Sequence, residues 1–397
     1  MQQQSQSSLW QPLIYLILIG FTFIAMPQTG SAYLLARCVQ VIEVIICITL
    51  LIQRFRQSFE INSFNWRTNL WWLFYTFLAY TSASMSLTPI FKWVNILLIL
   101  LLGVCYWQHD PTSSYKYISI IFSLLIYLNA ILLVIYPDGL WIDYEWVGGG
   151  DPRRFLFGNY NQMGFVCLLG ITAQAMYTFA TKRGRFNLFL LILVSLGTVH
   201  SVGSMTSTVG LSLFTIYILI HRIIKRPQIY LTIFIVIYIT FFIVFIWAGN
   251  SIEEIDLLTR FIENALSKDT TFTKRTDIWS NAIYKIQQSP WLGYGIRNID
   301  WNLTYLDASG PHNLWLMLLL QGGLILCSAF IYVVSFVIKT ALRATTPVGN
   351  VAVVAICIYF IMSLFEAYNI VQTFLLLQLA YYSPVLQSTL TESATQD

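Results

Sequence analysis

Charge is scarce in this chain. Only 10% of its 397 residues are Asp, Glu, Lys or Arg, and 57% are hydrophobic; a soluble domain carries about 25% charged residues. A soluble fold is excluded. The net charge of +4 is too small to mark a nucleic-acid binder. The six cysteines, Cys38, Cys47, Cys105, Cys167, Cys327 and Cys357, all fall inside apolar segments without metal-ligand spacing, which makes them small core residues. No Walker loop or dinucleotide fingerprint is present, so no soluble-nucleotide site is expected. The first apolar run lacks a basic stretch ahead of it and reads as a retained helix rather than a cleaved signal. Internal repeats and low-complexity tracts are also missing.

What is present is a succession of apolar runs near 20 residues long, each sufficient to cross ~30 Å of hydrocarbon. About twelve helices are expected, at roughly 10–28, 32–53, 68–87, 89–107, 117–136, 162–180, 186–201, 204–221, 229–248, 312–338, 349–365 and 367–387. The fold class is therefore all-α, a polytopic integral membrane protein with a single membrane domain over residues 1–397. Arg54, Arg56 and Arg67, then Lys116, then Lys182, Arg183 and Arg185, then Arg222, Lys225 and Arg226, then Lys339 and Arg343 occupy alternate connections. The positive-inside rule makes that side cytoplasmic and puts both termini there, with a polar cytoplasmic tail over about 388–397. Two outward connections are long, about 137–161 and 249–311. The second carries six cations and eight anions, so any anion site on it must use selected arginines. Within it, Ile278, Trp279, Ala282, Ile283 and Ile286 have helical spacing. An amphipathic helix is expected over 275–288, lying on the membrane or capping a cavity. Gly293 and Gly295 then give a tight turn.

Three constellations lie on the outward side. Arg153 and Arg154 precede Gly158-Asn159-Tyr160-Asn161-Gln162 at a helix start. A helix N-terminus offers free N–H groups, and arginine a forked donor, to phosphate oxygens. The alternative is lipid-headgroup binding by the arginines, with Asn159 or Asn161 as a helix cap. Arg275-Thr-Asp-Ile-Trp279 begins the amphipathic helix, where an arginine opposes the helix dipole unless an anion offsets it. His312, in Pro311-His312-Asn313, begins a helix directly after the long loop. Imidazole titrates near neutral pH and can accept a proton there, although a histidine at a helix start also serves as a cap. His109 and His221 fall in expected cytoplasmic loops, and His200, near an outward helix end, is the rival. Arginines that stabilise a phosphorylated leaving group, with a base that activates a hydroxyl, would make a metal-independent glycosyl or phosphoryl transfer site.

In this order and spacing, the arginine-rich loop, Gly-Asn-x-Asn, Arg275-x-x-x-Trp279, Pro290-x-x-Gly293-x-Gly295, His312-Asn313 and Gln321-Gly322-Gly323 in a polytopic chain resemble the O-antigen ligase and polymerase superfamily. The motifs cover about 150–323. The resemblance implies a GT-C-like enzyme of the bacterial inner membrane, with a periplasmic site and short helices in its long periplasmic loop. The implied donor is an undecaprenyl-pyrophosphate-linked glycan and the implied acceptor a lipid A–core sugar hydroxyl. Inversion is implied, with no metal or other cofactor; membrane lipids are the remaining partner. Carried over, His312 is the base, Arg275 and one of Arg153 and Arg154 hold the pyrophosphate, and Asn159, Asn161 and Gln162 line the donor. Polymerase, transfer to protein and a transporter are the alternatives, and ligase is favoured because the dominant outward loop runs into the His312 helix. Two positions depart from the family pattern: Gln321 stands where an acid is frequent, and Ser204-Met-Thr-Ser207 where Ser-Arg-Gly is.

Overall fold

The computed structural model describes residues 18–20, 23–25, 30–55, 67, 107, 111–142, 152–221, 227–247, 271–295, 310–343, 347–367 and 370–386. The spans expected at 68–87 and 89–107, nearly all of 10–28, most of the 249–311 loop and the tail from 388 lie outside these residues, as does His109.

The described chain is almost entirely helical. In order it forms α1 (Gly30–Phe55), α2 (Pro111–Ile135), α3 (Tyr160–Thr181), α4 (Arg185–Ser201), α5 (Met205–Ile220), α6 (Pro227–Phe241), α7 (Thr271–Gln288), α8 (Leu314–Arg343), α9 (Pro347–Ser363) and α10 (Ile370–Tyr381). Among the described residues three helices are long and apolar enough to span a membrane, Thr112–Ile135 of α2, α3 and α8, and several apolar helices are shorter. The expected boundaries hold to within a few residues for most helices. α6 continues as a π-helical stretch, Phe242–Trp247. The only strands among the described residues are Trp141–Ile142 (β1) and Arg153–Arg154 (β2), paired antiparallel. They pair within the connection between α2 and α3.

α3 is the central helix. It packs on α2, α4, α5 and α9, and 83% of its apolar window is buried, against 33% for α2. A helix that is apolar on every side belongs inside a bundle, whereas α2 turns Leu124, Ile131 and Val134 outward as a lipid-facing helix does. Gly164 sets the α3–α5 distance: a Cβ there would stand 2.0 Å from Ser207 Oγ.

α8 is not the continuous span that its apolar run implied. Gly323 has φ 61° and ψ −162°, which breaks the helix, and the turn expected at Pro290–Gly295 fits into the break. Tyr294 N and Gly295 N donate to Leu320 O (2.7 Å) and Gln321 O (2.9 Å), while Leu324 N and Ile325 N donate to Pro290 O (2.8 Å) and Trp291 O (3.3 Å). Irregular backbone at membrane depth survives where protein satisfies its polar groups. The Pro-x-x-Gly-x-Gly and Gln-Gly-Gly motifs are thus the two halves of one joint.

α7 buries Ile278, Trp279, Ala282, Ile283 and Ile286, as its spacing predicted. This face packs against Leu316, Leu319 and Leu320 of α8 and Ile246 of the π-helical stretch. It covers protein.

Candidate functional site

The site is built around the turn that ends α9, Leu364-Phe365-Glu366. Three elements reach into it. Asn313, fully buried, donates from Nδ2 to Leu364 O (2.9 Å), and its Oδ1 accepts from Trp315 N (2.9 Å) and Leu316 N (3.0 Å). One side chain therefore caps α8 and ties it to the end of α9. Arg275, from α7, donates through Nη1 to Phe365 O (2.7 Å) and through Nη2 to Glu366 Oε1 (2.9 Å). Asn161, in the first turn of α3, donates from Nδ2 to the same Oε1 (2.6 Å).

His312 completes the group, with Nδ1 3.6 Å from Glu366 Oε2. It does not begin α8 as expected. It lies two residues ahead of the helix in the left-handed region, φ 46°, which histidine visits more readily than most residues. Both neighbours are fixed: Pro311 O accepts from Trp279 Nε1 (3.0 Å), and Asn313 is the cap. The Arg275-x-x-x-Trp279 spacing thereby acquires a reason. Residues four apart share a helix face; Arg275 fixes the Phe365–Glu366 end of the site and Trp279 fixes the backbone before His312.

Exposure is graded across the group. The Glu366 side chain is 7% exposed, Arg275 24% and His312 31%, so the carboxylate is the base of the site and the imidazole faces its opening. The carbonyl end of α9 carries partial negative charge, which favours a guanidinium beside it. Arg275 also lies five residues into α7 rather than at its start, and Glu366 is the anion that the dipole argument required there.

The other expected residues are placed differently. Asn159 is the N-cap of α3, its Oδ1 accepting from Gln162 N (3.0 Å), which is the capping alternative. Arg153 and Arg154 form β2, in the hairpin that leads into α3. Arg154 is buried, and hydrogen bonds run from Arg153 Nη1 to Pro137 O (3.5 Å) and from Arg154 Nη1 to Arg153 O (3.3 Å). His200, the rival histidine, is exposed at the end of α4, and His221 stacks on Phe179 at 4.3 Å. Among the described residues, no three His, Cys, Asp or Glu side chains are grouped as a metal ion requires.

Two participants went unread in the sequence. Glu366 is the only acidic residue between Asp307 and Glu392, and an isolated acid among membrane helices is a functional candidate by default. Ser204, at the departure from the Ser-Arg-Gly pattern, donates to Asn161 Oδ1 (3.1 Å) and lies 2.7 Å from Ser207 Oγ.

These features define a polytopic helical membrane protein with an arginine, a histidine and a shared carboxylate at one end of its bundle. Residues 186–331, less than half of the chain, match the family model described as O-antigen ligase. The match supports a place in the O-antigen ligase and polymerase superfamily, with lipid-linked glycan as the substrate class, and does not separate ligase from polymerase. The matched segment includes Arg275, His312 and both halves of the α8 joint; Arg153, Arg154, Asn161 and Glu366 lie outside it. No curated protein matches the chain.

Proposed function

We propose that this protein is an O-antigen ligase of the bacterial inner membrane. It transfers glycan from undecaprenyl pyrophosphate to a sugar hydroxyl of lipid A–core at the periplasmic face, without metal or nucleotide. The observation that carries this reading is the meeting of Arg275 and His312, from segments on either side of the 295–310 stretch, at one carboxylate. His312 removes the acceptor proton as the hydroxyl oxygen bonds to the anomeric carbon from the face opposite the pyrophosphate. The carbon–oxygen bond to pyrophosphate breaks, its electron pair stays with the phosphate oxygen, and the configuration inverts. The proton then passes from the imidazolium to water or to the departing pyrophosphate.

Stabilising that leaving group is an electrostatic task. Two of the five N–H groups of Arg275 are engaged by Phe365 and Glu366, so its pyrophosphate contact uses the remaining edge. Its charge is balanced by Glu366, and a second cation is needed to offset a doubly charged leaving group. Arg153 or Arg154 is assigned that part, with Asn159, Asn161 and Gln162 near the donor at the start of α3. Ligase is favoured over polymerase by the long outward loop that runs directly into the His312 segment.

The test is a gel of lipopolysaccharide from cells lacking this gene, beside a blot of carrier-linked glycan. Bare lipid A–core with long glycan stranded on the carrier is the expected result. Core bearing a single repeat would make the protein a polymerase; an unchanged ladder would redirect the reading to a protein acceptor or to transport. Complementation with His312→Ala or Arg275→Ala, expressed at the wild-type level, is expected to leave the defect in place.

A further inference from the structure

The hydrogen bonds around Glu366 have a direction that fixes more than its position. Ser204 has a single hydroxyl proton, and two acceptors lie in reach: Asn161 Oδ1 at 3.1 Å and Ser207 Oγ at 2.7 Å. Asn161 Oδ1 has no proton to give, so it accepts from Ser204, whose hydroxyl is the donor toward both partners. Asn161 is then held with its amide nitrogen toward Glu366, donating to Oε1. Arg275 Nη2 donates to the same oxygen. The chain Ser204, Asn161, Glu366 thus runs one way, from a buried hydroxyl to the base of the site. Together with Arg275 it brings two donors to Oε1 and leaves Oε2 as the acceptor that faces His312.

We propose that Glu366 is a positioning residue for His312, holding the imidazole in the tautomer with its proton on Nδ1 and so making Nε2 the nitrogen that takes the acceptor proton. This rests on the reading of the site as a glycan-transfer centre. Nδ1 is the ring nitrogen turned to the carboxylate, and at 3.6 Å an approach of roughly 0.7 Å brings it into N–H···O range. Such bonds tighten when the reacting complex forms. Nε2 lies across the ring from the carboxylate. A carboxylate behind an imidazole also stabilises the imidazolium that forms when the base takes a proton, the logic of acid–histidine pairs in other transferases and hydrolases. Ser204 acts at one remove: its hydroxyl, donating to Asn161 Oδ1, keeps the amide from flipping and presenting oxygen to oxygen.

The same geometry makes an isosteric change decisive. In Glu366→Gln, the donors from Arg275 and Asn161 require the amide oxygen at the Oε1 position. The amide nitrogen then points at His312 Nδ1 and donates to it, forcing the proton onto Nε2 and removing the base. The experiment uses the full-length protein in phospholipid nanodiscs with ring-15N histidine. The chain has four histidines, and His312→Ala identifies the signal of interest. Wild type is expected to show a protonated Nδ1 and Glu366→Gln a protonated Nε2. With undecaprenyl-pyrophosphate glycan and lipid A–core as substrates, kcat for the Gln variant is expected to fall roughly 10²–10⁴-fold, with KM unchanged. Ser204→Ala, which lets the Asn161 amide flip, is expected to give a mixture of the two tautomers and a smaller fall in kcat; it carries the test if the Gln variant does not fold. A Gln variant that keeps the proton on Nδ1, or that moves it while transfer continues at the wild-type rate, overturns the proposal, as does a Ser204→Ala variant with wild-type tautomer and rate. If His312→Ala and Arg275→Ala both retain full transfer, the transfer-centre reading falls instead, and the tautomer spectra report separately on whether Glu366 orients the ring.

Discussion

Arg275 holds Phe365 O and Glu366 Oε1 with two different nitrogens, a geometry that needs a planar fork. A lysine ammonium is a point charge and cannot span both acceptors from one position. Arg275→Lys keeps the charge and loses one charge-assisted hydrogen bond, worth about 1.5–3 kcal/mol. If that bond sets the geometry of the reacting complex, transfer falls by roughly 10–100-fold. Ladder intensity in complemented cells at matched protein levels measures this, and wild-type transfer by the lysine variant would show that charge alone suffices. Asn313 separates folding from chemistry, because it makes three hydrogen bonds yet faces α9 and α8 rather than the opening. Asn313→Ala removes a helix cap, about 1 kcal/mol, and strips the buried Leu364 carbonyl of its donor, about 1–3 kcal/mol. The expected result is a clearly lower thermal transition in detergent; an unchanged transition would mean that water replaces the side chain. Arg275 and His312 could be read in the sequence because each is a polar residue at an apolar boundary. Glu366 had the same signature, but its partner lies 91 residues away, and local spacing carries no information across that separation.

Elements meet here through glycine at places where nothing larger fits. The turn after α7 and the break in α8 share four backbone hydrogen bonds. A Cβ on Gly323 would lie 2.2 Å from Trp291 C, and one on Gly293 would lie 2.5 Å from Leu320 O. Both glycines have positive φ, 61° and 64°, so alanine suffers backbone strain as well as collision. The colliding atoms are backbone and cannot swing aside. Gly323→Ala and Gly293→Ala are each expected to abolish folded protein on size-exclusion chromatography in detergent. Gly197, in α4, is the internal control: a Cβ there meets nothing within 4 Å, and alanine in a helix interior gains about 0.5–1 kcal/mol over glycine. Equal yields for all three variants would contradict the joint. The turn at Pro290–Gly295 was visible from its residues, as was the apolar face of α7. That the turn fills the break in α8 was not, because Gln321-Gly322-Gly323 sits inside an apolar run whose hydropathy is indifferent to one non-helical residue.

Among the described residues, polar groups gather at one end of the bundle and cations at the other. The start of α3, the approach to α5, the approach to α8 and the end of α9 converge on Glu366. The opposite ends of α3, α4 and α8 carry Lys182, Arg183, Arg185 and Arg343. The positive-inside rule would orient such a molecule with its cations in the cytoplasm, and the proposed site would then open on the far side. This orientation is a physical requirement of the proposed chemistry: a glycan already carried to the outer leaflet cannot be reached from within. Two exposed positions test it. Gln288 ends α7, the helix that carries Arg275, and Arg183 lies between α3 and α4. In intact spheroplasts, Gln288→Cys is expected to react with a membrane-impermeant maleimide and Arg183→Cys only after permeabilisation. The blank is the chain carrying Cys38→Ser and Cys105→Ser, since Cys38 is exposed whereas Cys47, Cys167, Cys327 and Cys357 are buried. The reverse pattern would place Arg275 and His312 in the cytoplasm, where soluble sugar nucleotides and not translocated lipid-linked glycans are the available donors. The transfer reaction proposed here would then have to be abandoned even if both residues proved essential.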